Sequence, residues 1–282
     1  MTPAQRAIVE AKTGSHVVRI SALAGGDIAS VARVDLADGT SVVAKTGGGG
    51  QLDLEGFMLG YLAATGTIPV PQVVHAEPDM LVMALIETAG GIDRAAQTHA
   101  ADLLAGLHAV TGPRFGFERD TLIGPLRQPN PEMSSWCEFF RDHRLFYMGG
   151  LAHEAGQLPS TTFRRLRAFC DRLDRHIGEP ARPSLIHGDM WGGNVLTCRG
   201  RVSAFIDPAI YFADPEIELA FSTLFNTFGD TFFQRYAEHH PIAPGFFEER
   251  RDIYNLYPLL VHTRLFGGGY VGSVDRILRR FV

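Results

Sequence analysis

The chain has 282 residues, of which 45% are hydrophobic and 20% charged, enough for one large domain or two lobes with substantial cores. The net charge is −5 and no long run of Lys or Arg occurs, so a nucleic-acid partner has no electrostatic support. No apolar run approaches the roughly 20 residues of a membrane span, and the start lacks a signal-peptide core. With three cysteines and no CxxC pair, we expect a cytoplasmic protein without a membrane partner.

The first third of the chain favours β-structure. Alternating apolar residues predict the strands, Asp38-Gly39 is a hairpin signal, and apolar residues at helical spacing predict one helix. The predicted order is β-β-β-α-β-β, with strands near residues 16–20, 30–36, 40–45, 73–74 and 81–86 and the helix at 54–62.

From about residue 92 onward helical periodicity dominates, interrupted by one short β-rich stretch. The predicted helices cover residues 100–110, 136–151, 163–177, 219–228 and 253–266, and the predicted strands cover 184–186, 195–196 and 202–206. This division predicts an α+β, protein-kinase-like bilobal fold. We expect a β-rich nucleotide-binding lobe at 1–88 and a mainly helical catalytic and substrate-binding lobe at 89–282.

The segment 187–194 reads HGDMWGGN and follows an apolar strand. Asp189 and Asn194 have the D-x-x-x-x-N spacing of a kinase catalytic loop. In such a loop the Asp accepts a hydrogen bond from the substrate hydroxyl, and the Asn holds Mg²⁺. Asp207 follows the predicted strand at 202–206 and is expected to be the second Mg²⁺ ligand. His187 is expected to be structural.

The third predicted strand ends in Val42-Val43-Ala44-Lys45, which matches the V-A-I-K strand of kinases. Lys45 is therefore expected to contact the ATP phosphates and to pair with Glu55 at the start of the next helix. Gly25 and Gly26 are expected to form a turn over the phosphates. Each residue alone has an ordinary structural interpretation, but their order together favours phosphoryl transfer from ATP.

Almost the whole sequence closely resembles the fructosamine kinase (ketosamine-3-kinase) family. The most specific matches are the loop at 187–194 and the segment 206–211, which reads IDPAIY. Further matches lie at residues 25–28, 65–71, 104–108, 115–117, 128–130, 136–145, 254–257 and 266–270.

The resemblance implies ATP- and Mg²⁺-dependent phosphorylation of the sugar 3-hydroxyl of a small-molecule or protein-bound ketosamine, which would repair glycation. The enzyme is expected to be a monomer. Met83, Ala84 and Ile86 would then form the hinge that binds adenine. Glu218 would brace the catalytic loop.

Trp191 lies inside the catalytic loop and could stack on the sugar or, by cation–π attraction, on its amine. Tyr211 could line the same acceptor pocket. For both residues the alternative is packing in the protein core. The other candidates for the acceptor pocket are weaker, and they are Trp136, Arg144, His262 and Phe266.

The loop departs from the common family form, HGDLWSGN, at Met190 and Gly192. Gly192 lacks the hydroxyl of the usual Ser and makes the loop more flexible, so the conformation of the loop cannot be inferred from the family form. Two alternative functions therefore stay open. One is another small-molecule hydroxyl kinase of the aminoglycoside or choline kinase type, and the other is a nucleotide-binding pseudokinase.

Overall fold

A computed structural model of the protein describes residues 1–23, 29–47 and 49–282. The N-terminal part is built on a five-stranded antiparallel sheet of order β1-β2-β3-β5-β4. Its elements are α1 (Pro3–Thr13), β1 (Val17–Ala22), β2 (Ala29–Leu36), β3 (Ser41–Gly47), α2 (Leu52–Thr65), β4 (Val73–Glu77) and β5 (Met80–Ala84).

The predicted strand–helix order is confirmed, and the structure adds α1 ahead of it. The hairpin at Asp38-Gly39 is present, with Gly39 at a φ of 86° that favours glycine. Thr2 caps α1 by accepting from the N–H of Gln5 while the Gln5 side chain accepts from the N–H of Thr2. This Thr-x-x-Gln capping box was the sequence signal for α1, and the sequence analysis did not use it.

Helix α2 packs closely against the sheet because Gly56 has no side chain. A Cβ at Gly56 would overlap the Cβ of Ala76 on β4. Lys45 lies on the central strand β3, opposite Val31 on β2 and Leu81 on β5, and is 8% exposed. The close approach of α2 brings the start of that helix to the Lys45 side chain.

The C-terminal part is mainly helical, as predicted. Its helices are α3 (Arg94–His108), α4 (Trp136–Phe140), α5 (Tyr147–Glu154), α6 (Ser160–Cys170), α7 (Glu216–Leu224), α8 (Asp230–His239), α9 (Arg251–Phe266) and α10 (Gly269–Leu278). π-Helical turns cover Arg141–Phe146 and Phe246–Arg250, and 3-10 turns cover Leu173–Arg175 and Gly192–Asn194. Helices α8 and α10 were not predicted from the sequence, and α6 ends earlier than predicted.

Short antiparallel strand pairs position the catalytic segment. They are β6 (Thr121–Ile123) with β7 (Leu126–Gln128), β8 (Ser184–Ile186) with β11 (Tyr211–Ala213), and β9 (Val195–Cys198) with β10 (Arg201–Phe205). Residues 187–194 therefore connect β8 to β9, and residues 206–210 connect β10 to β11. The two connections lie side by side because their flanking strands are paired.

The C-terminal core is continuous and rich in aromatic side chains, and Trp136, Phe139 and Phe140 are fully buried in it. Helix α3 packs against α8, and α7 packs against α9. Across residues 1–23, 29–47 and 49–282, none of the helices combines the length and apolar character that crossing a membrane requires. The predicted lobe boundary at 88/89 stays a prediction.

Candidate active site

Asp189, the predicted catalytic residue, and Asp207, a predicted metal ligand, lie on adjacent connections that bond to each other through the backbone. The N–H of Ala209 donates to the carbonyl oxygen of His187 at 2.7 Å, and the N–H of Ile206 donates to the carbonyl oxygen of Asn194 at 3.1 Å. These bonds attach both ends of one loop to the other. Backbone hydrogen bonds thus hold the connections that carry the two acids side by side.

His187 is fully buried and links the same two connections through its ring. Its Nε2 donates to the carbonyl oxygen of Ile206 at 3.0 Å, and its Nδ1 accepts from the N–H of Asp189 at 3.3 Å. Burial lowers the pKa of His187, so the ring is neutral at pH 7. The contacts are those of a structural histidine, as the sequence analysis expected.

Gly188 is required for this arrangement. Its φ is 86°, and a Cβ there would overlap the carbonyl oxygen of Ala209. Gly192, where the sequence departs from the usual family loop, is different, since a Cβ there would meet only Ile92, at 4.0 Å. The loop closes into its 3-10 turn without a hydroxyl at position 192.

Asp189 is partly buried, and its side chain is held by Asn194. The Asn194 Nδ2 donates to the Asp189 carbonyl oxygen at 2.9 Å and to its Oδ2 at 3.0 Å. Burial raises the pKa of Asp189 to about 7, and the negative charges of Asp207 and Glu218 act in the same direction against the Asn194 bond. A carboxylate that titrates near neutral pH can accept a proton from a hydroxyl.

The oxygen atoms of Asn194 and Asp207 suit Mg²⁺. Because Nδ2 of Asn194 is used by Asp189, its Oδ1 remains available as an acceptor. The Asp207 side chain is 43% exposed, and its backbone has a φ of 54°. In residues 1–23, 29–47 and 49–282 no group of three or more His, Cys, Asp or Glu forms a self-sufficient metal cluster. Mg²⁺ in kinases commonly takes only one or two protein ligands and completes its shell with phosphate and water.

Lys45 joins the N-terminal sheet to this site. Its Nζ lies 2.6 Å from Oε1 of Glu55 and also contacts Oδ1 of Asp207. Burial lowers the pKa of Lys45, but the charges of Asp207 and Glu55 outweigh burial and raise the pKa overall, so the amine stays charged. The predicted Lys45–Glu55 ion pair is confirmed, and the contact to Asp207 completes a three-residue cluster.

Glu218 lies beneath the catalytic loop and is fully buried. Its Oε1 accepts from the N–H of Gly188 at 2.7 Å, and its Oε2 accepts from the N–H of His187 at 3.2 Å. His108 donates from Nε2 to Oε2 of Glu218 at 2.8 Å, and its Nδ1 lies 2.7 Å from the hydroxyl of Tyr236. Glu218 has the bracing contacts that were predicted, while His108 and Tyr236 were not foreseen.

Of the residues assigned to the acceptor pocket, Trp191 and Phe266 are exposed, at 42% and 55%, and His262 is partly buried. The assignment of Trp136, Arg144 and Tyr211 needs correction, because all three are at most 1% exposed. They are core residues and offer no surface to an acceptor.

Arg144 shows why this part of the assignment failed. Its guanidinium donates to the carbonyl oxygen of Pro129 at 2.7 Å and to Oδ1 of Asn130 at 2.6 Å, and it stacks over the Tyr211 ring at 3.9 Å. The indole of Trp136 donates to the hydroxyl of Tyr254 at 3.0 Å. Apart from Nε of Arg144, which has no hydrogen-bond partner among the described residues, the polar groups of these two side chains have protein partners, as buried polar groups generally do.

The predicted hinge lies at the end of β5. Met83 is buried, and the N–H of Ala84 donates to the carbonyl oxygen of Gln72 at 2.9 Å. Ile86 follows the strand and is partly buried. Gly25 and Gly26, predicted to cover the phosphates, lie outside the described residues.

Comparison with solved structures defines the class of protein. A Thermobifida fusca protein assigned as a fructosamine-3-kinase has a TM-score of 0.88 and 30% identity, covering 99% of this chain and 98% of that one. An aminoglycoside phosphotransferase solved with streptomycin and ATP has a TM-score of 0.66 at 14% identity, which shows a shared fold only. The fold is that of protein-kinase-like phosphotransferases, as predicted.

Sequence comparison then gives the family. A Synechocystis protein named as a probable ketoamine kinase is 35% identical over 233 residues, 80% of this chain and 77% of that protein. A protein-ribulosamine 3-kinase of rice (Oryza sativa subsp. japonica) is 32% identical over 286 residues, 98% of this chain and 82% of that protein. The family model described as Fructosamine kinase matches residues 1–282. The chain belongs to the fructosamine kinase family.

Proposed function

We propose that the protein is an ATP-dependent kinase that phosphorylates the sugar 3-hydroxyl of ketoamines of the ribulosamine or fructosamine type, the first step in removing a glycation adduct. The observation that carries the proposal is that Asn194 bonds to Asp189 while Lys45 contacts Asp207, on two connections joined by backbone hydrogen bonds. Membership of the fructosamine kinase family and the names of the relatives support the acceptor class.

Asp189 is the proposed catalytic residue. The acceptor hydroxyl oxygen attacks the γ-phosphorus of ATP, a new O–P bond forms, and the bond between the γ-phosphorus and the ADP oxygen breaks. The hydroxyl proton passes to the Asp189 carboxylate, whose pKa of about 7 suits that task. The backbone bonds to Glu218 fix the loop that positions Asp189.

Lys45 and the metal ligands act on the phosphates. We assign the Lys45 amine to the α- and β-phosphates, with Glu55 keeping it in place. Asn194 Oδ1 and the Asp207 carboxylate would hold Mg²⁺, which neutralises phosphate charge when bound. Met83, Ala84 and Ile86 are proposed to contact adenine, and Gly25 and Gly26 to lie over the phosphates.

The test is a turnover assay with Mg²⁺-ATP and a panel of ribulosamines, fructosamines and erythrulosamines, free and protein-bound. We expect ADP release together with a sugar 3-phosphate, identified by mass spectrometry and NMR. Asp189→Asn is the control and should bind ATP without turnover. Transfer to aminoglycosides or choline alone would favour the hydroxyl-kinase alternative, and wild-type activity no higher than that of the control would favour a pseudokinase.

A further inference from the structure

The ring of Trp191 has a defined seat on the catalytic loop. A Cβ added at Gly193 would overlap the six-membered ring of Trp191, so the indole lies directly over the Gly193 backbone. The ring of Phe225, just after α7, contacts it edge-on with centroids 6.2 Å apart. Trp191 is nevertheless 42% exposed, so one face is supported by the protein while part of the ring is open to solvent.

Trp191 begins a continuous row of aromatic rings, here called the aromatic strip and made of Trp191, Phe225, His262, Phe266 and Tyr270. The Phe225 and His262 centroids are 5.1 Å apart, those of His262 and Phe266 5.8 Å, and those of His262 and Tyr270 4.9 Å. Phe225 and Phe266 are 37% and 55% exposed. Three exposed rings, joined through the partly buried His262 and lying next to a catalytic loop, form a contiguous aromatic surface, unlike aromatic residues scattered singly.

His262 adds a polar atom to the strip without adding charge. Its Nδ1 lies 2.7 Å from the carbonyl oxygen of Pro258, and because a carbonyl can only accept, Nδ1 carries the hydrogen. Burial lowers the pKa of His262, so the ring is neutral at pH 7 and its Nε2 can accept a hydrogen bond. A neutral ring at this position does not repel a cationic amine.

We propose that the aromatic strip binds the amine substituent of the acceptor and favours ketoamines whose amine carries an apolar arylalkyl or long alkyl group, with Gly193 determining this specificity by positioning Trp191. The inference rests on the proposed function. It follows from position, since Trp191 is two residues from Asp189, where the sugar hydroxyl must lie. The rest of the acceptor must extend outward from that point.

The chemistry of the strip suits this part of a ketoamine. The secondary amine is protonated at neutral pH, and aromatic faces attract a cation within about 6 Å. An apolar substituent beyond the amine would be removed from water against Phe225 and Phe266. A short substituent would not extend far enough from the sugar to reach these two rings.

The experiment compares two ribulosamines, one made with benzylamine and one with methylamine. For Phe266→Ala we expect the ratio of KM for the benzylamine adduct to KM for the methylamine adduct to rise about tenfold, because only the benzyl group reaches the Phe266 ring. Phe247→Ala is the matched control, because Phe247 is likewise exposed, at 42%, but packs on Phe233 and Phe246 rather than on the aromatic strip. This control should not change the ratio of the two KM values.

Gly193→Ala tests the seat itself. The added methyl group must displace the indole, so the preference for the benzylamine adduct should fall by about tenfold. The same methyl group at Gly192 meets only Ile92, at 4.0 Å, and should change the preference far less. Circular dichroism and thermal unfolding would show whether each variant is folded.

Unchanged KM ratios in both Phe266→Ala and Gly193→Ala would overturn the proposal. A wild-type protein that is a dimer in solution, and that becomes a monomer in Phe266→Ala without any change in KM, would also overturn it. The strip would then be a contact between two copies of the chain. A wild-type protein that phosphorylates neither adduct would instead refute the proposed function, and the role of the strip with it.

Discussion

His187 donates a hydrogen bond from Nε2 to the carbonyl oxygen of Ile206, 3.0 Å away, and so joins the loop of Asp189 to the residue before Asp207. On the other side of the same ring, Nδ1 accepts from the N–H of Asp189. A single neutral imidazole therefore adds to the backbone hydrogen bonds that hold the connections of the two acids together. The acids themselves need no direct bond to each other.

Replacing His187 tests this relationship. His187→Phe keeps a ring of similar size but leaves the Ile206 carbonyl and the Asp189 N–H without partners, so the free energy of unfolding should fall by about 1–3 kcal/mol. We expect kcat to fall by about tenfold or more, because Asp189 loses its alignment with the metal ligand. Denaturant unfolding and steady-state kinetics measure the two effects. A stable variant with wild-type kcat would contradict the positioning role.

The pKa of about 7 at Asp189 predicts the pH dependence of activity. The carboxylate must be deprotonated to accept the hydroxyl proton, so kcat/KM for the acceptor should decline as the pH falls below about 7, with the slope of a single proton. Asp189→Asn should lower kcat by about 10²–10⁴-fold at every pH while ATP still binds. A rate that stays constant between pH 5 and 8 would exclude Asp189 as the base.

Lys45 and Lys12 are the two lysines of the chain and form a matched pair for mutagenesis. Lys45→Met removes the cation that contacts Glu55 and Asp207, so KM for ATP should rise by about tenfold or more. Lys12→Met removes an exposed charge from α1 and should leave KM for ATP unchanged. Isothermal calorimetry with ATP measures the affinity directly. Equal effects of the two substitutions would show that Lys45 acts only through net charge.

The contacts of Glu218 predict a specific loss of acid stability. Burial alone would raise its pKa, but the hydrogen bonds from His108 and from the N–H of Gly188 outweigh burial, and the pKa is lowered from the ordinary value of 4.5. The stability that Glu218 contributes is therefore present above pH 4.5 and is lost as the pH falls through its lower folded-state pKa. In Glu218→Gln the free energy of unfolding should therefore depend less on pH over that acid range.

The same variant should also affect catalysis. Glu218→Gln offers one acceptor oxygen where the loop and His108 use two, so kcat should fall while KM for ATP changes little. Tyr236→Phe removes only the hydroxyl that contacts His108, at the far end of this series of hydrogen bonds, and should lower kcat less. If Tyr236→Phe lowered kcat as much as Glu218→Gln, the loop would depend on the whole network rather than on the carboxylate.

Local pattern predicted much of this site from the sequence. Lys45 and Glu55 were recognisable because a strand ending in Lys precedes a helix with an early Glu. Asp189 and Asp207 follow short apolar strands, and Asn194 has the catalytic-loop spacing from Asp189. The His108–Glu218–Tyr236 contacts could not be predicted in this way, because α3, α7 and α8 meet only in the folded chain. Periodicity gives the face of a helix but not its neighbour.

The acceptor side was predicted less well for a related reason. Trp136, Arg144 and Tyr211 occur in segments that match the family, but family matches include core residues as well as site residues. Arg144 in particular reads as a surface or ligand-binding residue, since arginine is rarely fully buried without partners. Its partners, Pro129 and Asn130, come from the loop after β7, and only tertiary structure reveals them.

The cluster of Lys45, Glu55 and Asp207 contains one positive and two negative charges, and Asp189 adds negative charge above its pKa of about 7. Such a cleft repels a free nucleotide, which is itself a polyanion. ATP that arrives with its divalent cation carries the compensating charge with it, and Lys45 can then exchange a carboxylate for phosphate oxygens. We therefore expect the protein to bind metal-bound nucleotide in preference to metal-free nucleotide.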